Sequence, residues 1–105
     1  MKIAAALVAV STLLVASVAV ADELEDMMKK NGCSACHAED KKVIGPSYKD
    51  VAAKYKGDAG AVAKLSEKVK KGGSGVWGPI PMPPNTQVPD ADVKKMVELI
   101  LALKK

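Results

Sequence analysis

The only two cysteines and the only histidine of the chain lie within five consecutive positions, in the run GCSACH at residues 32–37. Such residues can form a disulfide, exchange electrons as thiols, bind zinc or attach a haem. A disulfide between Cys33 and Cys36 gives no role to His37. A thioredoxin-like thiol pair needs a strand–helix context that the sequence does not predict, and structural zinc takes four ligands where the chain offers three. The run therefore favours C-x-x-C-H, the attachment signature of c-type haem.

This signature has a physical basis in how a c-type haem is held. Two thioether bonds from the cysteines hold the vinyl groups, and the adjacent histidine reaches the iron from one face. Cys33 and Cys36 would hold the porphyrin edge, and His37 would be the proximal ligand. The composition agrees, because 105 residues with no Phe, one Trp and two Tyr provide little material for a core. A domain this small needs a staple, a metal or a cofactor.

The ligand on the other face of the iron would decide between an electron carrier and a catalyst. The chain has no second histidine, so that ligand would be a methionine. The methionines just before the cysteines lie too near the attachment run, and Met96 falls on the apolar face of a helix, where core packing is expected. Met82 lies between Pro81 and Pro83, which fix φ and favour extended backbone. Such a segment can hold a thioether sulfur in one place, which makes Met82 the candidate.

The first twenty-one residues are typical of an export signal. Lys2 supplies a positive charge, residues 3–21 contain no charged residue, and they end in the small-x-small motif AVA. The alternative is an uncleaved membrane anchor, because this uncharged run approaches the length that spans a bilayer. We predict cleavage after Ala21, which leaves residues 22–105 as a single domain in the periplasm.

Apolar residues at helical spacing predict an all-α domain. The expected helices cover residues 23–31, 47–55, 58–71 with Asp58 as N-cap, and 90–105. Residues 72–89 hold four of the eight glycines and five of the six prolines, so neither a helix nor a central strand can run through them. Nothing alternates at period two for long enough to predict a strand. A loop of this length needs a functional reason, and a ligand such as Met82 supplies one.

The basic residues give little information about partners. All sixteen are lysines, against twelve acids, for a formal net charge of +4. This excess is too small to indicate nucleic-acid binding. Lysines at the ends of the predicted helices fit either a surface that steers acidic partners or an ordinary solvated face. They are Lys29, Lys30, Lys68, Lys70 and Lys71.

The order of motifs resembles a known family. C-x-x-C-H, then Gly-Pro, then GGSGVWGPIPMPPN and a C-terminal amphipathic helix resemble the small class I monohaem cytochromes c of bacteria, of the cytochrome c-551/c-552 type. The resemblance covers all of residues 22–105. It implies about four helices wrapped around one covalently attached haem c, with a long Gly/Pro-rich ligand loop. Members often carry an aromatic residue in the first and last helices, where this chain has Met28 and Leu99.

The resemblance also implies roles for individual residues around the iron. It makes His37 and Met82 the two axial ligands. It implies that the carbonyl of Pro46 accepts a hydrogen bond from the Nδ1–H of His37, which would orient the ring. It further implies that the indole N–H of Trp77 donates to a haem propionate, and that Asn85 forms a hydrogen bond near the Met82 sulfur.

By this resemblance the protein would be an exported one-electron carrier and not an enzyme, because two axial ligands leave the iron no open position. It would be a monomer, not inserted in a membrane, that forms small transient interfaces with respiratory partners. The donor would be a quinol-oxidising complex, and the acceptor a terminal oxidase, nitrite reductase or peroxidase. Three alternatives stay open: a haem enzyme or sensor with an open site for peroxide or a gas, an electron-transfer subunit of a larger dehydrogenase, and a disulfide-stapled binding module.

Overall fold

A computed structural model gives the fold of residues 13–103, with side chains described from residue 20 onward. The elements are α1 (Leu13–Lys30), a 3-10 turn (Cys33–Ala35), α2 (Tyr48–Lys54), α3 (Ala61–Lys71), β1 (Gly73–Gly75), β2 (Gly78–Met82) and α4 (Asp90–Leu101). Within this range the fold is built from four helices, as the sequence predicted. Residues 1–12, which form most of the predicted export signal, lie outside the described residues.

The first helix is longer than expected. Within the described residues it covers Leu13–Lys30, and so it includes residues 13–22, which contain neither glycine nor proline and which the sequence did not predict to be helical. At its other end Lys29 and Lys30 lie where the helix dipole favours cations. Gly32 then takes a left-handed φ of 77° and turns the chain toward the cysteines. None of the described helices is both long enough and apolar enough to cross a membrane.

The starts of α2 and α3 are set by local polar contacts. The hydroxyl of Ser47 accepts a 3.0 Å hydrogen bond from the amide of Asp50 and caps α2. The prediction that Asp58 caps α3 is wrong, because the helix starts one residue after Gly60. Asp58 instead accepts a 2.8 Å hydrogen bond from the Gly60 amide and shapes the turn before the helix.

The Gly/Pro-rich segment contains a short hairpin, so the prediction of no strand is wrong. β1 and β2 pair antiparallel, with Gly73 opposite Met82 and Gly75 opposite Gly78. Prolines are tolerated in β2 because every strand of a two-stranded sheet is an edge strand. Three of the glycines have a φ between 114° and 119°, a region that other residues rarely adopt. The expectation that no central strand passes through the segment is met.

The last helix closes the core over the other three. α4 packs against α1, α2 and α3, and it ends at Leu101, before the predicted residue 105. Met28 and Leu99 are both buried, so the positions where family members often carry aromatics remain core positions here. The buried apolar cluster comprises Leu24, Met28, Tyr48, Val51, Val88, Val93, Met96, Val97, Leu99 and Ile100.

Candidate haem site

The attachment run folds into a tight turn that brings its three reactive side chains to one cleft. The amides of Cys36 and His37 both donate to the carbonyl of Cys33 at 3.1 Å, which closes the 3-10 turn. The side chains of Cys33, Cys36 and His37 all line the same cleft. Both cysteines are half-buried and carry free thiols, so the structure contains no disulfide between them.

The imidazole of His37 is fixed by the turn at Gly45 and Pro46. Its Nδ1 lies 2.8 Å from the carbonyl oxygen of Pro46. A carbonyl oxygen can only accept, so Nδ1 carries the proton and Nε2 of the neutral ring keeps its lone pair for a metal. The ring also lies against Gly45, where an added Cβ would come within 2.5 Å of Cε1. The predicted contact between Pro46 and His37 is therefore present in the structure.

The hairpin forms another wall of the cleft. Met82 ends β2 and is half-buried among the lining residues, whereas the preceding Ile80 and Pro81 also line the cleft but are exposed. The C-terminal end of α3 supports this segment closely: a Cβ on Gly72 would strike the carbonyl oxygen of Met82 and lie 2.8 Å from the nitrogen of Pro84. The position of Met82 thus depends on how the hairpin lies on α3.

The floor of the cleft is apolar and comes from three helices. The cleft encloses about 1230 Å³, its open mouth included. The floor side chains are Met28, Leu65, Val69, Met96, Val97 and Ile100.

The electrostatics of the Cys33 thiol argue against a redox dithiol. Burial raises the pKa of the Cys33 thiol, and the nearby Cys36 raises it further. A reactive dithiol centre needs the opposite shift, because the thiolate is the nucleophile. Burial likewise raises the pKa of the Tyr48 hydroxyl, whose ring lies 5.7 Å from the imidazole of His37, centroid to centroid. The raised pKa of the Cys33 thiol disfavours thiolate chemistry there, and the raised pKa of the Tyr48 hydroxyl disfavours acid–base chemistry.

Trp77 and Asn85 lie on either side of the ligand loop. Trp77 lines the cleft at its mouth, 40% exposed, with the Lys54 ammonium 5.7 Å from its ring centroid. The side-chain amide of Asn85 donates to the carbonyls of Val69 at 3.2 Å and Pro83 at 3.1 Å. The expected contact between Asn85 and the Met82 sulfur stays a prediction, and the observed contacts place Asn85 between the ligand loop and α3.

Sequence reasoning named Lys68 among the candidate steering lysines, and it borders the cleft, but it missed two other residues of the site. Ile44 lines the cleft, and Gly72 is the close contact beneath Met82. The glycine pair at residues 72–73 was an available signal, but the end of a helix explained it equally well. Ile44 carries no comparable signal, because its position depends on contacts between distant segments.

These features fit a covalent haem. An apolar cleft has two thiols, an imidazole whose Nδ1 is held by a carbonyl, and a thioether from the hairpin among its lining side chains. Gly45 stands where a Cβ would displace the imidazole, and Gly72 where one would displace the backbone of the thioether segment. The fold and this cleft define a class of small all-α proteins that hold one haem through C-x-x-C-H.

Comparisons with known proteins agree. The family model described as cytochrome c matches residues 24–104. The chain is 54% identical over 96 residues to cytochrome c-552 of Nitrosomonas europaea, which covers 91% of each chain. It is 51% identical over 98 residues to cytochrome c-551 of Pseudomonas aeruginosa, which covers 93% of this chain and 92% of the relative.

Solved structures of cytochromes also superpose on this chain, which supports the same fold. The crystal structure of wild-type Nitrosomonas europaea cytochrome c552 superposes with a TM-score of 0.74 at 54% identity, over 76% of this chain and 99% of that one. The crystal structure of the class 1 cytochrome MtoD from Sideroxydans lithotrophicus ES-1 superposes with a TM-score of 0.68 at 34% identity, over 81% of this chain and 97% of that one.

The chain belongs to the cytochrome c family. It carries one covalent haem c and is an electron carrier that works with redox partners, not an enzyme. The predicted class I fold is confirmed, and the reading as a haem enzyme or sensor is not favoured.

Proposed function

We propose that His37 and Met82 are the two axial ligands and that the protein is an exported carrier of single electrons between respiratory proteins. The observation that carries the proposal is the cleft itself, which is lined both by an imidazole held by Nδ1 and by a methionine of the hairpin. When bound, haem supplies an Fe(II)/Fe(III) couple, and a histidine–methionine ligand pair raises its potential.

The chain's own residues keep such a site closed and stiff. The bond from Nδ1 of His37 to Pro46 fixes the ring orientation, and Gly45 packs against the ring. The contact of Gly72 with the backbone of Met82 fixes the other wall. A site held on both walls rearranges little when the charge on the iron changes, which favours rapid electron exchange.

Trp77 and Asn85 support the two ends of this ligand loop in the proposal. Trp77 stands at the mouth, where its indole N–H is available to a haem propionate. Asn85 ties the backbone after Met82 to α3 through its two amide hydrogen bonds. In this proposal Trp77 is a hydrogen-bond donor toward the cofactor, and Asn85 positions the ligand segment.

A partner would dock at the mouth of the cleft. Large apolar side chains are exposed there, and we call them the apolar rim: Val43, Ile44, Val76, Trp77 and Ile80. Four of these also line the cleft, so a protein seated on the rim would lie next to the haem edge. A patch of this size fits a small transient interface, which suits a monomeric carrier that must release its partner after each transfer.

The structure limits which lysines can steer such a partner. Lys29 and Lys71 form ion pairs with acids four residues earlier, at 3.2 and 3.0 Å. Lys70 pairs with Asp90 at 3.0 Å. Lys68 borders the cleft, and Lys54 lies over Trp77. We propose that Lys54 and Lys68, at the mouth, are the steering charges for an acidic partner.

The export signal at residues 1–21 is part of the proposal. It rests on the uncharged run and the AVA motif in the sequence. The measurement is the N-terminal sequence and mass of holoprotein recovered from the periplasmic fraction. A chain that begins at Asp22 supports export with cleavage, and a chain that retains the first twenty-one residues contradicts it.

Absorption spectroscopy of purified holoprotein tests the ligand assignment. We expect a low-spin ferric spectrum with a weak sulfur-to-iron charge-transfer band, and we expect Met82→Ala to abolish that band. Met28→Leu and Met96→Leu are the matched controls, because both methionines are buried cleft residues and a Met-to-Leu exchange conserves volume. Both controls should keep the band.

Two results would contradict the assignment. A band that survives Met82→Ala but disappears in Met96→Leu would move the ligand to α4. A high-spin ferric spectrum in the unmodified protein, with ready binding of carbon monoxide to the reduced form, would indicate an open iron site and favour the enzyme or sensor alternative.

A further inference from the structure

Lys70 makes a set of contacts that electron transfer through the cleft does not require. Its ammonium donates to the carbonyl of Val88 at 2.5 Å and to that of Thr86 at 3.4 Å. It also lies 3.0 Å from a carboxylate oxygen of Asp90, the first residue of α4. One side chain on α3 thus holds three alternate residues of the segment that follows the ligand loop.

The neighbours of Lys70 hold the same stretch of chain. The carbonyl of Val69 accepts hydrogen bonds from the backbone amide of Asn85 at 3.0 Å and from its side chain at 3.2 Å. Gly72 packs directly against the backbone of Met82 and Pro84. The C-terminal end of α3 therefore contacts residues 82–90 at several points. Of its residues, Lys70 contacts the part of this segment that lies furthest along the chain, up to Asp90.

The environment of Lys70 makes its bond to the Val88 carbonyl stronger than an ordinary surface contact, whereas Asp90 is 90% exposed, so the ion pair contributes less. The Lys70 side chain is 29% exposed, whereas those of Lys29, Lys64 and Lys71 are 64–73% exposed in their ion pairs. Hydrogen bonds from a charged donor are about twice as strong as neutral ones, and partial burial limits screening by salt. Val88 is almost fully buried, so its carbonyl has no easy replacement partner in water.

We propose that Lys70 is a positioning residue for the axial ligand: by tying residues 86–90 to α3, it sets how readily Met82 leaves its place in the cleft. The proposal rests on Met82 being the ligand. Lys70 touches neither the cleft nor Met82 itself, so it acts through the backbone between them. Its loss loosens one wall of the site and leaves the wall at His37 unchanged.

The test is a titration of oxidised holoprotein with imidazole, followed by the loss of the sulfur-to-iron band. In Lys70→Met, which keeps the length but removes the donors, we expect imidazole to bind about tenfold more tightly, the usual effect of losing a charged hydrogen bond. Lys70→Arg should restore part of the difference. Lys71→Met removes the adjacent, exposed lysine and should leave imidazole binding unchanged.

A second comparison separates positioning from general destabilisation. Val62→Ala weakens the packing of α3 against the core without altering a cleft residue. Guanidinium unfolding of both variants gives their stability, and a positioning role requires tighter imidazole binding only in Lys70→Met. Equal imidazole binding in Lys70→Met and the unmodified protein, or equal tightening in Val62→Ala, overturns the proposal.

The outcomes for Lys70 and for the ligand assignment are distinguishable. If the unmodified protein lacks the sulfur-to-iron band, the assignment of Met82 fails and the role of Lys70 fails with it. If the band is present and only Met82→Ala removes it, imidazole binding in Lys70→Met decides the role of Lys70 alone. Should Lys70→Met yield no holoprotein, Asp90→Asn, which removes only the ion pair, carries the comparison with the same expected direction and a smaller effect.

Discussion

At the scale of single residues, the site depends on the missing side chain of Gly45 as much as on the imidazole of His37. The ring of His37 fills the space where any other residue at position 45 would place its Cβ. The adjacent Pro46 supplies a carbonyl that can only accept, which selects the tautomer with Nε2 unprotonated. One Gly-Pro dipeptide therefore sets both the position of the ring and which nitrogen faces the carbonyl.

Gly45→Ala tests this packing. The new Cβ would lie 2.5 Å from Cε1 and 2.9 Å from Nδ1 of His37, so the ring or the turn must move. We expect a loss of stability of about 2 kcal/mol, typical of overpacking, together with a shift in the reduction potential. Guanidinium denaturation and a redox titration of the holoprotein measure the two effects.

The matched control for that substitution is Gly60→Ala. Gly60 has an ordinary φ, and its nearest neighbours would be 3.5 and 3.6 Å from an added Cβ. It should change the stability only slightly and leave the potential unaltered. Equal effects of the two substitutions on the potential would show that the contact between Gly45 and His37 does not tune the site.

The site residues that could be predicted from the sequence are those identified by a motif within one short segment. Cys33, Cys36 and His37 form one turn, and Met82 stands out because of its flanking prolines. The close contacts at Gly45 and Gly72 could not be predicted in the same way. Each joins segments separated in the chain, and spacing within one segment carries no information about such distances.

At the scale of elements, α2 is a helix that cannot stand alone. It has seven residues, fewer than an isolated helix needs in water. It is held by the packing of Tyr48, Val51 and Ala52 and by the cap at Ser47. Since Ser47 directly follows Pro46, the start of α2 also fixes the carbonyl that orients His37.

Ser47→Ala tests the contribution of this cap. Removing an N-cap hydroxyl costs about 1 kcal/mol of unfolding free energy, and the near-complete burial of Ser47 places the effect at or above that figure. Ser66→Ala is the matched control, because the Ser66 hydroxyl is buried without a hydrogen-bond partner among the described residues. Its replacement should be neutral or slightly stabilising, and equal losses in the two variants would contradict the capping role.

The hairpin shows why one element was missed. Strand prediction depends on alternation between a buried and an exposed face, and the three central residues of β2 are all exposed. The strand exists because glycines with positive φ let β1 and β2 meet, and because edge strands tolerate proline. The amphipathic helices, by contrast, each bury one face, and periodicity located all of them to within a few residues except for the start of α1.

At the scale of the whole molecule, charged and apolar surfaces are divided in a way that suits brief contacts. Several lysines away from the cleft are matched by acids of the same chain. The apolar rim surrounds the mouth of the cleft, where only a few lysines lie. The proposed docking at the mouth would therefore combine apolar contact with a few local lysine charges, and the ion-paired lysines elsewhere would add little long-range attraction.

Electron self-exchange between oxidised and reduced copies of the protein tests the rim without a known partner. Val43→Lys places a charge on the rim at a residue that does not line the cleft, so the spectrum should stay unchanged. Two rims that meet would then bring additional like charges together in a protein that is already net positive, and we expect self-exchange to slow by about threefold or more at low salt. Nuclear magnetic resonance line broadening of mixed redox samples measures the rate. Ala63→Lys makes the same charge change on an exposed position of α3, and equal slowing in both variants would show that net charge, and not the rim, governs the encounter.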